Sequence, residues 1–378
     1  MKRSTATILT LLLVGGAIGV AHARSGPEPE RPASSAAGAG GIKVAKVAGP
    51  LADPAGFTFL PDGRIVYLER ATGRIRLLDP SAHTDRVLYR IPGVNGDGER
   101  GTLGVAVSPA WPSRKTLWVY VTRGAGGALR NQLLRISLRP GHGAGMVVLL
   151  SQPASADPYH NGGRILFGPD GKLYVFIGDG HDSANAQDLA KGNLRGKLLR
   201  VNPDGSAPAD NPIPGKRFFS FGNRNSFGFT FDPQTGSLWQ TENGPECNDE
   251  INLITPGAND GWGPNANCSG SAPGDTNNSG PAPRSMPKWF TPQTIGITGA
   301  AFCDGCGLGA SWLGALFVGA ANDGVLRVFT LNGTRSDLAG GPQTPLTAPN
   351  GAIYSIETAP DGRIYFSDFL GIYRLVPA

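Results

Sequence analysis

Long helical periodicity is missing from this chain: no segment of convincing length repeats its apolar residues every three to four positions, which excludes an architecture built on packed helices. Charge of one sign is also missing. The net charge is +5 over 378 residues, scattered and without a basic stripe interleaved with aromatics, so a nucleic-acid-binding surface is not expected. Cysteine is scarce, four in all, and a second CxxC is absent, which argues against a four-cysteine zinc site. Histidine numbers only five, so any imidazole chemistry must fall on very few positions. After the first two dozen residues no apolar run is long enough to cross a bilayer core of about 30 Å.

Glycine and proline, by contrast, are abundant, 56 and 32 residues, as suits a protein of turns and short strands. The chain opens with Lys2 and Arg3, an apolar stretch from Ile8 to Val20 and the small-x-small ending Ala21-His22-Ala23. That pattern predicts a secretory signal peptide over residues 1–23 and an exported protein, periplasmic or extracellular. No Cys stands at the cleavage point, which argues against a lipid anchor. Residues 24–41 are Pro, Ser, Ala and Gly with almost no large apolar side chain, and read as a disordered linker. From residue 42 to 378 one domain is expected.

Within that domain an apolar strand runs into a turn and out into a second apolar strand six times, beginning near Phe57, Leu103, Gly163, Phe227, Thr298 and Ile353. Each pair is followed by a further strand, such as GRIRLLD, GKLLRVN or GVLRVFTL. A recurrence of about 45 to 70 residues fits blades of about 40 to 50 residues carrying loops of variable length. The reading is all-β, a six-bladed propeller of four-stranded antiparallel blades. Its site is expected where loops of several blades meet at the central channel.

Of the four histidines left after the leader, His160 stands just before the inner strand of the third blade, in HNGGRILFGPDG. An imidazole there can act as general base on an alcohol; alternatively it caps the strand by bonding backbone. One blade later, GNRNSFGFTFDP puts Arg224 and Asn225 at the equivalent point, suited to a planar ligand rich in oxygens or else to bonding loop carbonyls. The loop TENGPECNDEINLITPGANDGWG gathers Glu242, Asp249, Glu250, Asn252, Asn259 and Asp260 around Gly244 and Pro245. Hard oxygen donors in an irregular loop suit calcium, although each carboxylate could equally cap a turn or pair with a cation. In an exported protein the cysteines are expected as disulfides, Cys247 with Cys268 and Cys303 with Cys306.

The segments HNGGRILFGPDGKLYVFIGDG, GKLLRVNPDG, GNRNSFGFTFDPQTGSLWQTENGP and DEINLITPGANDGWG resemble the soluble quinoprotein glucose and sorbosone dehydrogenase family, exported six-bladed propellers. The resemblance spans residues 42–378. It implies pyrroloquinoline quinone (PQQ) as redox cofactor, a calcium ion to polarise it, and an aldose oxidised at C1 to a lactone. In those terms His160 takes the hydroxyl proton while hydride passes to the quinone, and Arg224 and Asn225 contact the quinone, with Arg224 stabilising its developing oxyanion. Asn243 falls among the cofactor contacts, the carbonyls of Gly244 and Pro245 on the cofactor calcium, and Glu250 and Asp260 at a structural calcium site. A small sugar and an external electron acceptor are the implied partners, and a monomer or weak dimer the implied state.

Several positions depart from that family's pattern. Asn322 stands where a Lys or Arg pairs with cofactor carboxylates; Ala352, Ile353 and Tyr354 replace an Arg-x-Arg motif; Phe227 and Glu99 each replace a Gln. Each charge-assisted bond lost toward the three carboxylates of PQQ removes about 1.5 to 3 kcal/mol. A second reading is therefore a non-catalytic secreted propeller that holds a glycan or protein ligand in the same channel, on the model of Hedgehog-interacting proteins. A third, a calcium-dependent lactonase, would need carboxylates and amides from several blades aimed at one ion. The Asn/Ser/Pro/Gly-rich stretch 265–295 is expected to cover the channel mouth and to set specificity.

Overall fold

The computed structural model describes residues 41–139, 143–266, 268 and 284–378. The expected signal peptide, all of the expected linker but Gly41, and most of the stretch expected over the channel mouth lie outside the described residues. Six four-stranded sheets, antiparallel in every pairing, form the propeller blades, and the only helical turns among the described residues are Ala184–Gln187 and the 3-10 turn Ala310–Trp312. The ring is closed in a way the repeat does not announce. Ser355–Thr358, Ile364–Ser367 and Ile372–Pro377 take as their outer strand Ile42–Ala48, from the other end of the described chain, with Val44 opposite Leu375. Pairing the first strand with the last joins both ends of the repeat in one cooperative sheet.

Apolar residues from successive blades interdigitate between the sheets. Ile165, Leu173, Val175 and Leu199 of the third blade pack with Ala106, Trp118 and Tyr120 of the second. Nearer the axis the inner strands approach too closely for side chains: a Cβ on Gly104 would strike the Gly163 carbonyl, and one on Gly228 the Thr298 carbonyl, so glycine is required at both. Arg164, at the head of the third inner strand, donates to Ser355 Oγ at 3.0 Å and pairs with Glu357 at 2.5 Å in the sixth blade, on the opposite side of the ring. This pair ties the third blade to the sixth at the cavity, whose lining includes Arg164 and Ser355. Both expected disulfides are formed, Cys247–Cys268 and Cys303–Cys306.

Candidate active site

A cavity of about 670 Å³ lies in the mouth of the channel, and residues of all six blades or their connecting loops reach it, among them Arg70, Glu99, His160, Arg224, Asn322 and Tyr354. The third blade supplies the most structured part. His160 lies in the loop leading to the inner strand Ile165–Phe167 with φ 57, a left-handed conformation that non-glycine residues rarely adopt. Glycine at 178 permits it, because a Cβ there would collide with the His160 carbonyl. The ring Nδ1 of His160 lies 2.7 Å from Asp179 Oδ1, with side-chain exposures of 7% and 2%. The second oxygen of Asp179 accepts the indole N–H of Trp262 at 2.8 Å, and its backbone N–H donates to the Arg224 carbonyl at 2.8 Å. A carboxylate so placed holds the proton on Nδ1 and leaves Nε2 as the basic nitrogen.

Glu99 braces this arrangement from the second blade: its Oε2 accepts from the His160 backbone N–H at 2.8 Å and from Asn225 Nδ2 at 3.1 Å. Asn225 Oδ1 in turn accepts from Gly162 N–H at 3.2 Å, so both ends of this buried amide are engaged in positioning the loop of His160. Asn243 is committed in a similar way, its Nδ2 donating to the carbonyls of Ile297 at 2.8 Å and Asn225 at 3.3 Å.

Arg224 has donor capacity to spare. One Nη1–H goes to the Asn243 carbonyl at 3.0 Å and the guanidinium lies 5.5 Å from the Trp262 ring, while its buried Nε has no hydrogen-bond partner. Burial pulls its pKa down, opposed by the fields of Asp179, Glu242 and Glu99. A desolvated cation with an unfilled donor on a cavity wall is strongly attractive to a ligand oxygen.

Gly244 and Pro245 also line the cavity, and with Glu242 and Glu250 they surround a separate void of about 10 Å³, about one water or ion in size. Burial, then the facing carboxylate of Glu250, raises the pKa of Glu242 well above the ordinary range. Asp260 lies apart from that void. Burial pushes its pKa up to about 7; Oδ2 accepts from Asn223 at 3.0 Å and Oδ1 has no partner. Glu250 and Asp260 both act electrostatically on Glu242, but no group of three or more His, Cys, Asp or Glu side chains able to hold a metal occurs among the described residues.

Of the positions that depart from the family pattern, Glu99 and Phe227 belong to the side of His160 and Asn225, and Asn322 and Tyr354 to the wall of the fifth and sixth blades. Asn322 is an exposed rim residue whose Nδ2 donates to the Thr294 carbonyl at 3.2 Å. Tyr354 and Phe227 line the cavity, whereas Ala352 and Ile353 are buried and do not reach it. Two further arginines line the cavity, but Arg164 is paired with Glu357, and Arg70 with Asp53 at 2.6 Å and three backbone carbonyls. Sequence reasoning missed Asp179, Trp262 and His181. Asp179 and His181 lie in IGDGH, directly after the second strand of the third blade, at the same end of the blade as His160, and that placement was the available signal.

The family model described as Glucose / Sorbosone dehydrogenase matches residues 51–368. The chain is 29% identical over 343 residues to Aldose sugar dehydrogenase YliI of Escherichia coli (strain K12), covering 86% of this chain and 89% of that protein. It is similar in structure to a putative oxidoreductase (glucose dehydrogenase) from Thermus thermophilus, at 33% identity and TM-score 0.76 over 89% of this chain and 100% of that one. It is likewise similar to the PQQ-bound form of Aldose Sugar Dehydrogenase from Streptomyces coelicolor, at 27% identity and TM-score 0.75 over 89% and 98% of the two chains. A six-bladed ring with a His–Asp pair and an arginine at its channel mouth, matched along most of its length, identifies this chain as a member of the Glucose / Sorbosone dehydrogenase family.

Proposed function

We propose that this protein is a PQQ-dependent, calcium-requiring dehydrogenase that oxidises an aldose at C1 to the lactone and passes the electrons to an external acceptor. The observation that carries the reading is the buried His160–Asp179 pair, whose free ring nitrogen is available to the cavity. The donor set suits a flat, oxygen-rich cofactor: the guanidinium of Arg224 lines the cavity as a cation, and the carbonyls of Gly244 and Pro245 are hard ligands of the kind calcium takes. When bound, the quinone supplies the two-electron acceptor that the side chains of this chain cannot provide.

The protein's own part is proton chemistry and positioning. His160 Nε2 removes the C1 hydroxyl proton, and Asp179 stabilises the resulting imidazolium while Trp262 keeps that carboxylate from rotating. Glu99 and Asn225 hold the strained backbone of His160 so that the base does not swing out of the cavity. Arg224 presents positive charge where an oxyanion would develop. Glu250 and Asp260 serve a structural calcium site, and Asn322 and Asn243 contact the cofactor. A purely binding role would leave the His160–Asp179 pair, costly to bury, without a task.

The test is a titration of metal-free protein with PQQ and calcium, followed by absorbance, and then addition of aldoses with a dye acceptor. Saturable binding and sugar-dependent dye reduction are the expected result. Absence of binding at micromolar quinone would overturn the reading and leave the channel to another ligand. An exported monomer or weak dimer is part of the same proposal. No helix among the described residues is long and apolar enough to cross a membrane.

A further inference from the structure

A second His–Asp pair stands directly outside the first. His181 has φ 62, so it shares the rare left-handed conformation of His160, and its backbone N–H donates to Asp179 Oδ1 at 2.9 Å, the same oxygen that holds His160. The two imidazole rings meet edge to face with centroids 4.7 Å apart. The Nδ1 of His181 lies 2.9 Å from Asp157 Oδ2, and both side chains are exposed, 49% and 63% against 7% and 2% for the inner pair, with His181 also lining the cavity. Two strained histidines, each fixed through Nδ1 by its own aspartate, thus step from the buried wall of the cavity to bulk water. A backbone in this conformation costs about 1 to 3 kcal/mol per residue unless its surroundings impose it. Here the backbone N–H of His181 is held by Asp179 and that of His160 by Glu99.

We propose that His181, held by Asp157, is the proton exit of the active site: it accepts the proton that His160 takes from substrate and releases it to solvent. The inference rests on the reading of His160 as general base. The need for such a relay follows from burial. His160 is 6% exposed, and a ligand filling the cavity would cover what remains, so the imidazolium formed in each turnover has no direct path to water. Asp179 cannot carry the proton away, because both of its oxygens are engaged, by His160 and His181 on one and Trp262 on the other. His181 touches His160 on one side and water on the other, and with Nδ1 committed to Asp157 its Nε2 is the nitrogen free to take and release a proton. The balance is simple: one proton leaves His160 Nε2, one arrives at His181 Nε2, and one is given to water or buffer. The charged groups around His181 are Asp157, Asp179 and the neighbouring Asp182, with Arg195 beside Gly180, its Cδ and Nη1 both close to that turn.

The experiment is steady-state turnover of the protein loaded with PQQ and calcium, wild type beside His181→Gln and Asp157→Asn, in a weakly buffering medium and again with increasing imidazole. Expected for His181→Gln is a fall in kcat of about ten-fold or more in weak buffer, with KM for sugar and the quinone Kd unchanged, and recovery as imidazole carries the proton instead. The same pattern, smaller, is expected for Asp157→Asn, a surface change that serves if the first variant folds poorly. An undiminished kcat in weak buffer overturns the relay, as does a loss that imidazole does not restore or a loss accompanied by weaker quinone binding. Wild-type protein inert toward every aldose would instead overturn the dehydrogenase reading, and the relay with it.

Discussion

The two walls of the cavity are built differently. The wall from the third and fourth blades is a continuous network: His160, Asp179, Trp262, Arg224, Asn225 and Asn243 are joined by hydrogen bonds or stacking, and most are buried. The wall from the fifth and sixth blades offers Thr294, Ala321, Asn322, Tyr354 and Ser355, with no charged side chain of its own facing the cavity among the described residues. On the proposed function the first wall would move the proton and stabilise the oxyanion, while the second offers only uncharged side chains among the described residues. The division teaches that reaction chemistry and cofactor affinity can be tuned on separate blades, because each blade is an independent sheet whose loops reach the same channel.

The largest effect expected from breaking the structured wall is on turnover. Asp179→Asn frees the His160 ring and removes the charge that stabilises its cation, and should lower kcat by about a hundred-fold or more while quinone binding persists. Burst kinetics with bound quinone would check it; a loss below about three-fold would place the orienting role elsewhere.

Next in size is the response of the metal-free protein to pH. The folded Asp260 keeps its proton to about pH 7, raised by burial, whereas the unfolded one releases it near the ordinary carboxylate value. Between those values the folded state binds more protons, so stability falls as pH rises through about 4 to 7, by about 2 to 4 kcal/mol for a shift of this kind, and Glu242, also raised by burial, acts in the same direction. Denaturant unfolding across that range measures it. Calcium should flatten the decline, and a metal-free protein that gains stability over the window would contradict the burial of these acids.

The smallest effect is the most informative about the open wall. Asn322→Lys restores a cation at the cavity rim and should tighten quinone binding by about ten- to a hundred-fold, the range for one charge-assisted bond, with little change in kcat. Isothermal titration of the variant decides it; unchanged affinity would mean that the quinone carboxylates lie away from this wall.

The contrast between walls also marks what could be read from the amino-acid sequence. The six strand-turn-strand units, and with them the propeller, were legible because each inner pair is apolar and bounded by turn residues. The strand Ile42–Ala48 was not, because it lies ahead of the first unit and only ring closure gives it a partner. His160 and Arg224 were legible because both precede inner strands, where a loop side chain meets the channel. Asp179, Trp262 and His181 were hidden: Trp262 is 83 positions from the carboxylate it bonds, and only the fold brings them together. The ordinary pairs Arg70–Asp53 and Arg164–Glu357 explain why arginines that line the cavity do not simply replace the missing cations. That engagement depends on side-chain geometry, which no repeat period encodes.

The central claim is that the wall carrying His160 performs the chemistry, and His160→Ala tests it most directly. The variant should fold, bind PQQ and calcium as the wild type does, and oxidise sugar at least about a hundred-fold more slowly. Turnover comparable to wild type, in a variant with its quinone bound, would contradict the account.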